Sequence, residues 1–273
     1  MTFGSRLLAA MDTRGPLCVG IDPHASLLQA WGLADDVAGL ERFAMTAVEA
    51  LAGEVSMLKP QSAFFERHGA AGVAVLERVV AASRELGALV LLDVKRGDIG
   101  STAQGYADAY LDPRSPLACD AMTASPYLGF GSLDPLLATA ERHDAGVFVL
   151  ALTSNPEGPQ FQHARTTAGA TVAGAVLAAL AERNAGVAPL GSFGAVVGAT
   201  IDPPEESLVI NGPLLVPGVG AQGGTVASVR AIFGDATRFV VPTTSREVLA
   251  AGPDVQALRD AAARGNDDFR ALR

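Results

Sequence analysis

Two residues of this 273-residue chain stand out for the chemistry they allow. Of its 20 basic residues 18 are arginine, and the only lysines are Lys59 and Lys95. On a solvated surface the two types are largely exchangeable, so the bias toward arginine has swept every ordinary basic position and left these two. An ammonium can shift its pKa and give up a proton, whereas a guanidinium stays charged. Lys95 lies in Leu91-Leu92-Asp93-Val94-Lys95-Arg96-Gly97-Asp98. Along an extended strand Asp93 and Lys95 point to the same side and Val94 points away. Asp98 follows after a glycine-containing turn. A purely structural reading has Asp93 and Lys95 pair, or Asp98 cap a helix. Against it, each buried charge costs several kcal/mol unless well paired, and an apolar strand ending in three of them needs a reason. At an effective dielectric near 20, a carboxylate about 4 Å from an ammonium contributes roughly 4 kcal/mol. Two such carboxylates would hold Lys95 protonated, ready to donate to a developing carbanion.

A second cluster suits an anion. In Val216-Pro217-Gly218-Val219-Gly220-Ala221-Gln222-Gly223-Gly224, four glycines in seven residues let backbone amides converge on a phosphate. Thr243-Thr244-Ser245-Arg246 brings a fork-shaped donor beside that loop. The bland alternative is a flexible loop and a surface arginine. Asp22, in Gly20-Ile21-Asp22-Pro23, and Lys59, in Leu58-Lys59-Pro60, close two earlier apolar runs.

Elements must exist to hold these groups. Short runs rich in Val, Ile and Leu recur at residues 17–22, 55–60, 88–95, 121–126, 147–154, 195–200, 214–220 and 239–243. Near-continuous apolar runs suit parallel strands buried on both faces. Between them Leu40, Phe43, Ala44, Ala47, Val48 and Leu51 trace one helical face, as do Val73, Leu76 and Val80. Ser101-Thr102-Ala103-Gln104 fits a capping box opening the third helix. Residues 132–142 and 171–184 supply two more helices. The sixth connection leaves room for only a short helix, between Pro203-Pro204-Glu205-Glu206 and Asn211-Gly212-Pro213. Eight strands with intervening helices in this length predict a (β/α)8 TIM barrel forming a single domain over residues 1–273. An open doubly wound sheet is the competing arrangement. In such a barrel the chemistry sits at the carboxyl ends of the strands, where both lysines fall, and phosphate sits after strands seven and eight.

Composition narrows the partners. With 49% apolar and 18% charged residues the chain can bury a large core, and its net charge of −9 lacks the basic footprint of a nucleic-acid binder. The richest apolar run, residues 173–181, is far shorter than the roughly 18 residues a membrane span needs. The start, Met-Thr-Phe-Gly-Ser-Arg, lacks the pattern of a secretory signal, so a cytoplasmic location is expected. Cys18 and Cys119 sit in apolar segments without metal spacing and read as reduced, packed thiols. His24, His68, His143 and His163 form no H-x-x-x-H pair, and no metal site is expected.

These residues resemble the orotidine 5′-phosphate decarboxylase family, specifically its longer-chain, type 2 branch. Asp93-x-Lys95-x-x-Asp98, within the stretch from Leu92 to Thr102, is similar to the family signature. So are Gly20-Ile21-Asp22-Pro23, Leu58-Lys59-Pro60-Gln61, Ser125-Pro126-Tyr127-Leu128-Gly129, Thr153-Ser154-Asn155-Pro156, the glycine loop and Arg246, in the same order along the chain. The resemblance implies conversion of orotidine 5′-phosphate to UMP and CO2 without cofactor or metal, in de novo pyrimidine synthesis. It also implies a homodimer with shared active sites. Carried over, Asp22 and Lys59 would engage the ribose hydroxyls, Lys95 would protonate C6, and Asp93 would lie beside the substrate carboxylate. Asp98, with Ile99 and Thr102, would enter from the partner subunit. Ser154 would contact the pyrimidine, and Gln222, on the expected lid loop, would grip the phosphate with Arg246. Shorter family members have glycine before that arginine, where this chain has Ser245. Magnesium-dependent relatives, the 3-keto-L-gulonate 6-phosphate decarboxylases and hexulose-phosphate synthases, share the D-x-K-x-x-D stretch but carry an acid at the end of strand two. Lys59 argues against them. A catalytically silent phosphate- or nucleotide-binding barrel is the remaining reading, and the intact lysines and acids argue against that.

Overall fold

Strands that are apolar on both faces need cover on both sides, and a closed parallel barrel with outer helices provides it. A computed structural model of the protein describes residues 1–220 and 223–272 and has this architecture. The strands are β1 (Cys18–Ile21), β2 (Met57–Pro60), β3 (Leu89–Arg96), β4 (Ala121–Ala124), β5 (Gly146–Leu152), β6 (Phe193–Val197), β7 (Leu214–Pro217) and β8 (Val240–Thr244). They pair in parallel in sequence order, and β8 returns to β1 with Cys18 opposite Thr243. The helices are α1 (Phe3–Arg14), α2 (Ala25–Ala30), α3 (Val37–Leu51), α4 (Ala63–Glu66), α5 (Gly69–Glu85), α6 (Gly100–Leu111), α7 (Asp134–Arg142), α8 (Gly158–Gln162), α9 (Val172–Arg183), α10 (Val226–Phe233), α11 (Arg246–Leu249) and α12 (Val255–Arg270). All eight expected strands are present, with ends that differ from the expected ones by at most three residues. The open doubly wound sheet is thereby excluded.

Strand alternation sorts the core into two layers. Val19, Leu58, Val90, Leu92 and Val216 pack outward against the helices. Cys18, Met57, Leu89, Leu91, Ala121, Phe148, Val196, Leu215 and Val241 fill the barrel interior. The same interior cluster includes Phe3, Leu7 and Met11 of α1. This helix plugs the amino-terminal end of the barrel: Phe3 stands edge-on to Phe148 at 6.0 Å, and Arg6 pairs with buried Asp120. With that end sealed, the interior opens only at the carboxyl ends of the strands.

Two connections differ from expectation. Helix α6 starts at Gly100 with Ile99 as its N-cap, so Ser101 already lies in its first turn and makes no capping box. Gln104 donates instead to Asp108 and Thr139. Between β6 and β7 there is no helix at all among the described residues. The segment is held by buried Asn184, which donates to the carbonyls of Phe193 (2.8 Å) and Ile210 (3.0 Å) and accepts from the Phe193 amide. Cys18 and Cys119 are free and buried, and burial pushes their thiols up to about 11 and about 12. No helix among the described residues is long and apolar enough to cross a membrane.

The plug should matter energetically. Phe3 is wholly buried, so Phe3→Ala is expected to cost about 3–5 kcal/mol in urea-induced unfolding. A loss below about 1 kcal/mol would show that α1 does not pack as a core element.

Candidate active site

The inward rows end in polar residues. On β3 the row Leu89, Leu91 continues to Asp93; on β2 Met57 is followed by Lys59; on β4 Ala121 is followed by Thr123; on β8 Val241 is followed by Thr243. One layer above the apolar interior these side chains converge. Lys59 Nζ donates to Asp93 Oδ2 at 3.1 Å, and Lys95 Nζ donates to Oδ1 at 2.6 Å. Thr123 Oγ1 donates to Oδ1 at 2.8 Å. With its amide nitrogen oriented toward β3, Gln61 donates to Oδ2 at 3.1 Å and to the Asp93 carbonyl. The carboxylate thus has two charged and two neutral donors. Lys59 and Asp93 are 6% and 9% exposed, while the Lys95 side chain is 45% exposed and reaches over the rim.

Backbone geometry presents Lys95. The β3–β4 ladder is interrupted between Leu92 and Arg96, and Lys95 has φ +44°, in the region that disfavours side chains. Arg96 then turns outward to Glu66 and the Tyr110 hydroxyl, with its guanidinium 5.5 Å from the Tyr106 ring centre. Of the charges ending this strand, Asp93 and Lys95 serve the mouth and Arg96 anchors the outside.

Other expected residues fall in three groups. Asp22, just past β1, belongs to the cluster electrostatically: its Oδ1 is buried without a hydrogen-bond partner, and its charge raises the Lys59 pKa. Thr243 and Thr244, at the end of β8, also have buried hydroxyls without partners. Among the described residues Lys95 pairs with one carboxylate, that of Asp93, and no ion pair joins it to Asp98 of its own chain. Asp98 Oδ1 accepts from the Ile99 amide (2.8 Å) at the start of α6. Ile99, which is 62% exposed, and Thr102 lie open to solvent. Ser154 lies exposed two residues past β5 and lines a cavity of about 460 Å³ with Asn155, His163, Arg165 and Glu205. Neither lysine lines that cavity.

At the expected phosphate end, Arg246 is exposed and begins α11. Gln222 lies outside the described residues. Gly218, Gly220 and Gly223 have φ of +99°, +68° and +89°, which explains the glycines. The amides of Gly220, Gly223 and Gly224, however, are not left open for an anion. Gly220 donates to Gly224, Gly223 to Gly220 and Gly224 to Gly218, so the loop spends these groups on its own turns. Ser245 stands over Gly20, where any Cβ would overlap its hydroxyl.

Burial alone would raise the Asp93 carboxyl. The Lys59 and Lys95 ammoniums, helped by hydrogen bonds from Lys95 and Thr123, outweigh burial and hold it at about 2. Burial alone would lower Lys59, and the Asp93 and Asp22 carboxylates more than reverse this, so it stays protonated above its ordinary range. Sequence reasoning missed Thr123 and the Gln61 contact; the signal that could have found both is inward parity one layer above the apolar row.

A sequence profile described as "Orotidine 5′-phosphate decarboxylase / HUMPS family" matches residues 15–261. An orotidine 5′-phosphate decarboxylase of Nocardioides sp. is 65% identical over 272 residues, 98% of each chain. That of Streptomyces coelicolor is 62% identical over 263 residues, 96% of this chain and 95% of the relative. A crystal structure from Streptomyces avermitilis, given the same name provisionally, superposes with a TM-score of 0.97 at 62% identity, covering 99% of this chain and 95% of the other.

Ionisation of Asp93 is linked to stability. Its folded value, about 2, lies below its ordinary 3.8, so its contribution is present above pH 4 and disappears as pH falls toward 2. Lys59, raised in the folded state, contributes below its ordinary 10.5 and loses that contribution only at higher pH. The stability gap between wild type and Asp93→Asn, followed by thermal melting, should therefore narrow between about pH 4 and about pH 2. A gap that does not change with pH would contradict an ionised Asp93.

Proposed function

This chain belongs to the orotidine 5′-phosphate decarboxylase family, and on that premise we propose that it converts orotidine 5′-phosphate to UMP and CO2 with Lys95 as the proton donor. The observation that carries the reading is the alternation Lys59–Asp93–Lys95 across the mouth of the barrel. Loss of CO2 from C6 leaves a vinyl carbanion with no conjugated sink, so stabilisation must come from charge placed beforehand and from a nearby proton. The bond from C6 to the carboxylate breaks with its electron pair left on C6. The Lys95 ammonium gives a proton to that carbon, and the resulting amine is reprotonated from solvent, to which its side chain is 45% exposed. Asp93 fixes the ammonium beside the departing carboxylate. Lys59 and Asp22 take the ribose hydroxyls, and Asp22 Oδ1 is buried with a hydrogen bond still to make.

Arg246, with Gln222, binds the phosphate, and Ser154 meets the pyrimidine. Binding energy from the phosphate, remote from the bond that breaks, is available to orient the ring. The reading gives no role to a metal or cofactor: Lys59 puts a buried ammonium where a divalent cation would be repelled. The protein acts as a homodimer, and Asp98, Ile99 and Thr102 complete the partner's site. In support, Ile99 and Thr102 are exposed, none of the three bonds to Lys59, Asp93 or Lys95 of its own chain, and Tyr127, Leu128 and Phe161 are exposed as well, the ring of Phe161 5.2 Å from that of Tyr127. Exposed apolar side chains of this size suit a covered face. Buried free thiols at Cys18 and Cys119 support a cytoplasmic enzyme, and one barrel supports one domain over residues 1–273.

Purified protein should form UMP from orotidine 5′-phosphate at an undiminished rate in excess EDTA; metal-dependent turnover of a sugar phosphate instead, or no UMP, would overturn the reading. Lys95→Ala and Asp98→Asn should each be nearly inactive. Mixed and allowed to exchange subunits, they should regain activity, because some hybrid sites hold neither lesion. Continued inactivity after verified exchange would mean that Asp98 acts within its own chain.

A further inference from the structure

One uncharged side chain touches both the Asp93 carboxylate and the backbone that presents Lys95. We infer that Thr123 is a positioning residue for the decarboxylation, which aims Asp93 and locks the left-handed turn carrying Lys95. The inference rests on the activity assigned above and assigns a role in it to a residue outside the D-x-K-x-x-D motif. Thr123 is 1% exposed on β4, and its hydroxyl has three neighbours. It lies 2.8 Å from Asp93 Oδ1, 3.0 Å from the Val94 nitrogen and 2.9 Å from the Lys95 nitrogen.

A hydroxyl has one proton to give and two lone pairs to accept with. Two amides can only donate, so they take the lone pairs. An ionised carboxylate can only accept, so it takes the proton. All three capacities are used, and the hydrogen-bond directions are fixed with no alternative arrangement. The branched Cβ restricts the side-chain rotamer further.

The consequence reaches both reacting partners of the cluster. With the β3–β4 ladder interrupted between Leu92 and Arg96, the amides of Val94 and Lys95 bond to this hydroxyl rather than to strand carbonyls. Removing it would leave the Val94 amide buried and unpaired and would release the turn at Lys95, whose φ of +44° needs support from its surroundings. It would also take from Asp93 Oδ1 one of its two donors, so the carboxylate could rotate and carry the Lys95 ammonium with it. A displacement of about 1 Å at a reacting group costs on the order of 100-fold in rate. Of the groups assigned to phosphate and ribose, Arg246, Asp22 and Lys59, none bonds to Thr123, and Lys59 holds the other oxygen of Asp93, Oδ2, so the loss should fall on kcat far more than on KM.

The test is a graded series at one position. Thr123→Ser keeps the hydroxyl, Thr123→Cys keeps a weak donor and acceptor, and Thr123→Val keeps the shape alone. With folding checked by circular dichroism, kcat for UMP formation should fall in the order Thr, Ser, Cys, Val. The valine variant should be about 100-fold down, with KM within about threefold of wild type. If the valine variant does not fold, the order among the other three carries the test. A kcat that ignores hydrogen-bonding capacity, or a loss appearing in KM alone, would overturn the assignment while wild type still turned over. A wild type that forms no UMP would remove the activity itself, which is a separate and recognisable failure.

Discussion

A buried carboxylate held between two ammoniums sets the terms for the rest of this protein. Asp93 and Lys59 are nearly inaccessible, and neither charge would be tolerable alone at that depth. Removing one partner of such a pair characteristically costs about 3–5 kcal/mol, because the other is left uncompensated in a poorly solvating environment. The third charge, on Lys95, is different in kind. It shares the same carboxylate but extends toward solvent, so it is fixed at its base and available at its tip. Four donors around Asp93 hold this arrangement in place before any substrate arrives, which is what electrostatic catalysis requires.

The barrel makes this possible by simple periodicity. Each strand contributes every second residue to the interior, and the apolar layers made by Met57, Leu89, Leu91, Ala121, Phe148 and Val241 form a dry floor. Helix α1 seals that floor from beneath with Phe3, Leu7 and Met11. The next inward position on β2, β3 and β4 is polar, so the charged layer forms at one height and at one end. Charges at that height are partly desolvated by the floor, and their mutual attraction is correspondingly strong.

What the sequence made legible follows from the same periodicity. The eight strands were readable because parallel barrel strands are apolar without interruption, and the facing of Asp93 and Lys95 was readable because alternation survives up to the strand end. The scarcity of lysine pointed to Lys59 and Lys95, which proved to share one carboxylate. Features that depend on distant residues were not legible. The missing sixth helix is replaced by Asn184 hydrogen bonds to residues 193 and 210, a contact with no local signature. The Ser101 capping box failed because helix α6 begins one residue before it, at Gly100. The glycines after β7 were legible as a loop, but not that the amides of Gly220, Gly223 and Gly224 would bond to carbonyls of the same loop. Thr123 was hidden because threonine is an ordinary strand residue. Asp98 accepts from the Ile99 amide at the start of α6 and makes no ion pair with Lys95 of its own chain.

In the proposed reaction one proton, on Lys95 Nζ, goes to the carbon that loses CO2. A crystal structure of the protein with a bound UMP analogue tests this most directly. Lys95 Nζ should lie within roughly 3.5 Å of the pyrimidine C6 position, still bonded to Asp93. A bound nucleotide whose ring lies away from that nitrogen, with the ammonium reaching into bulk water, would contradict it.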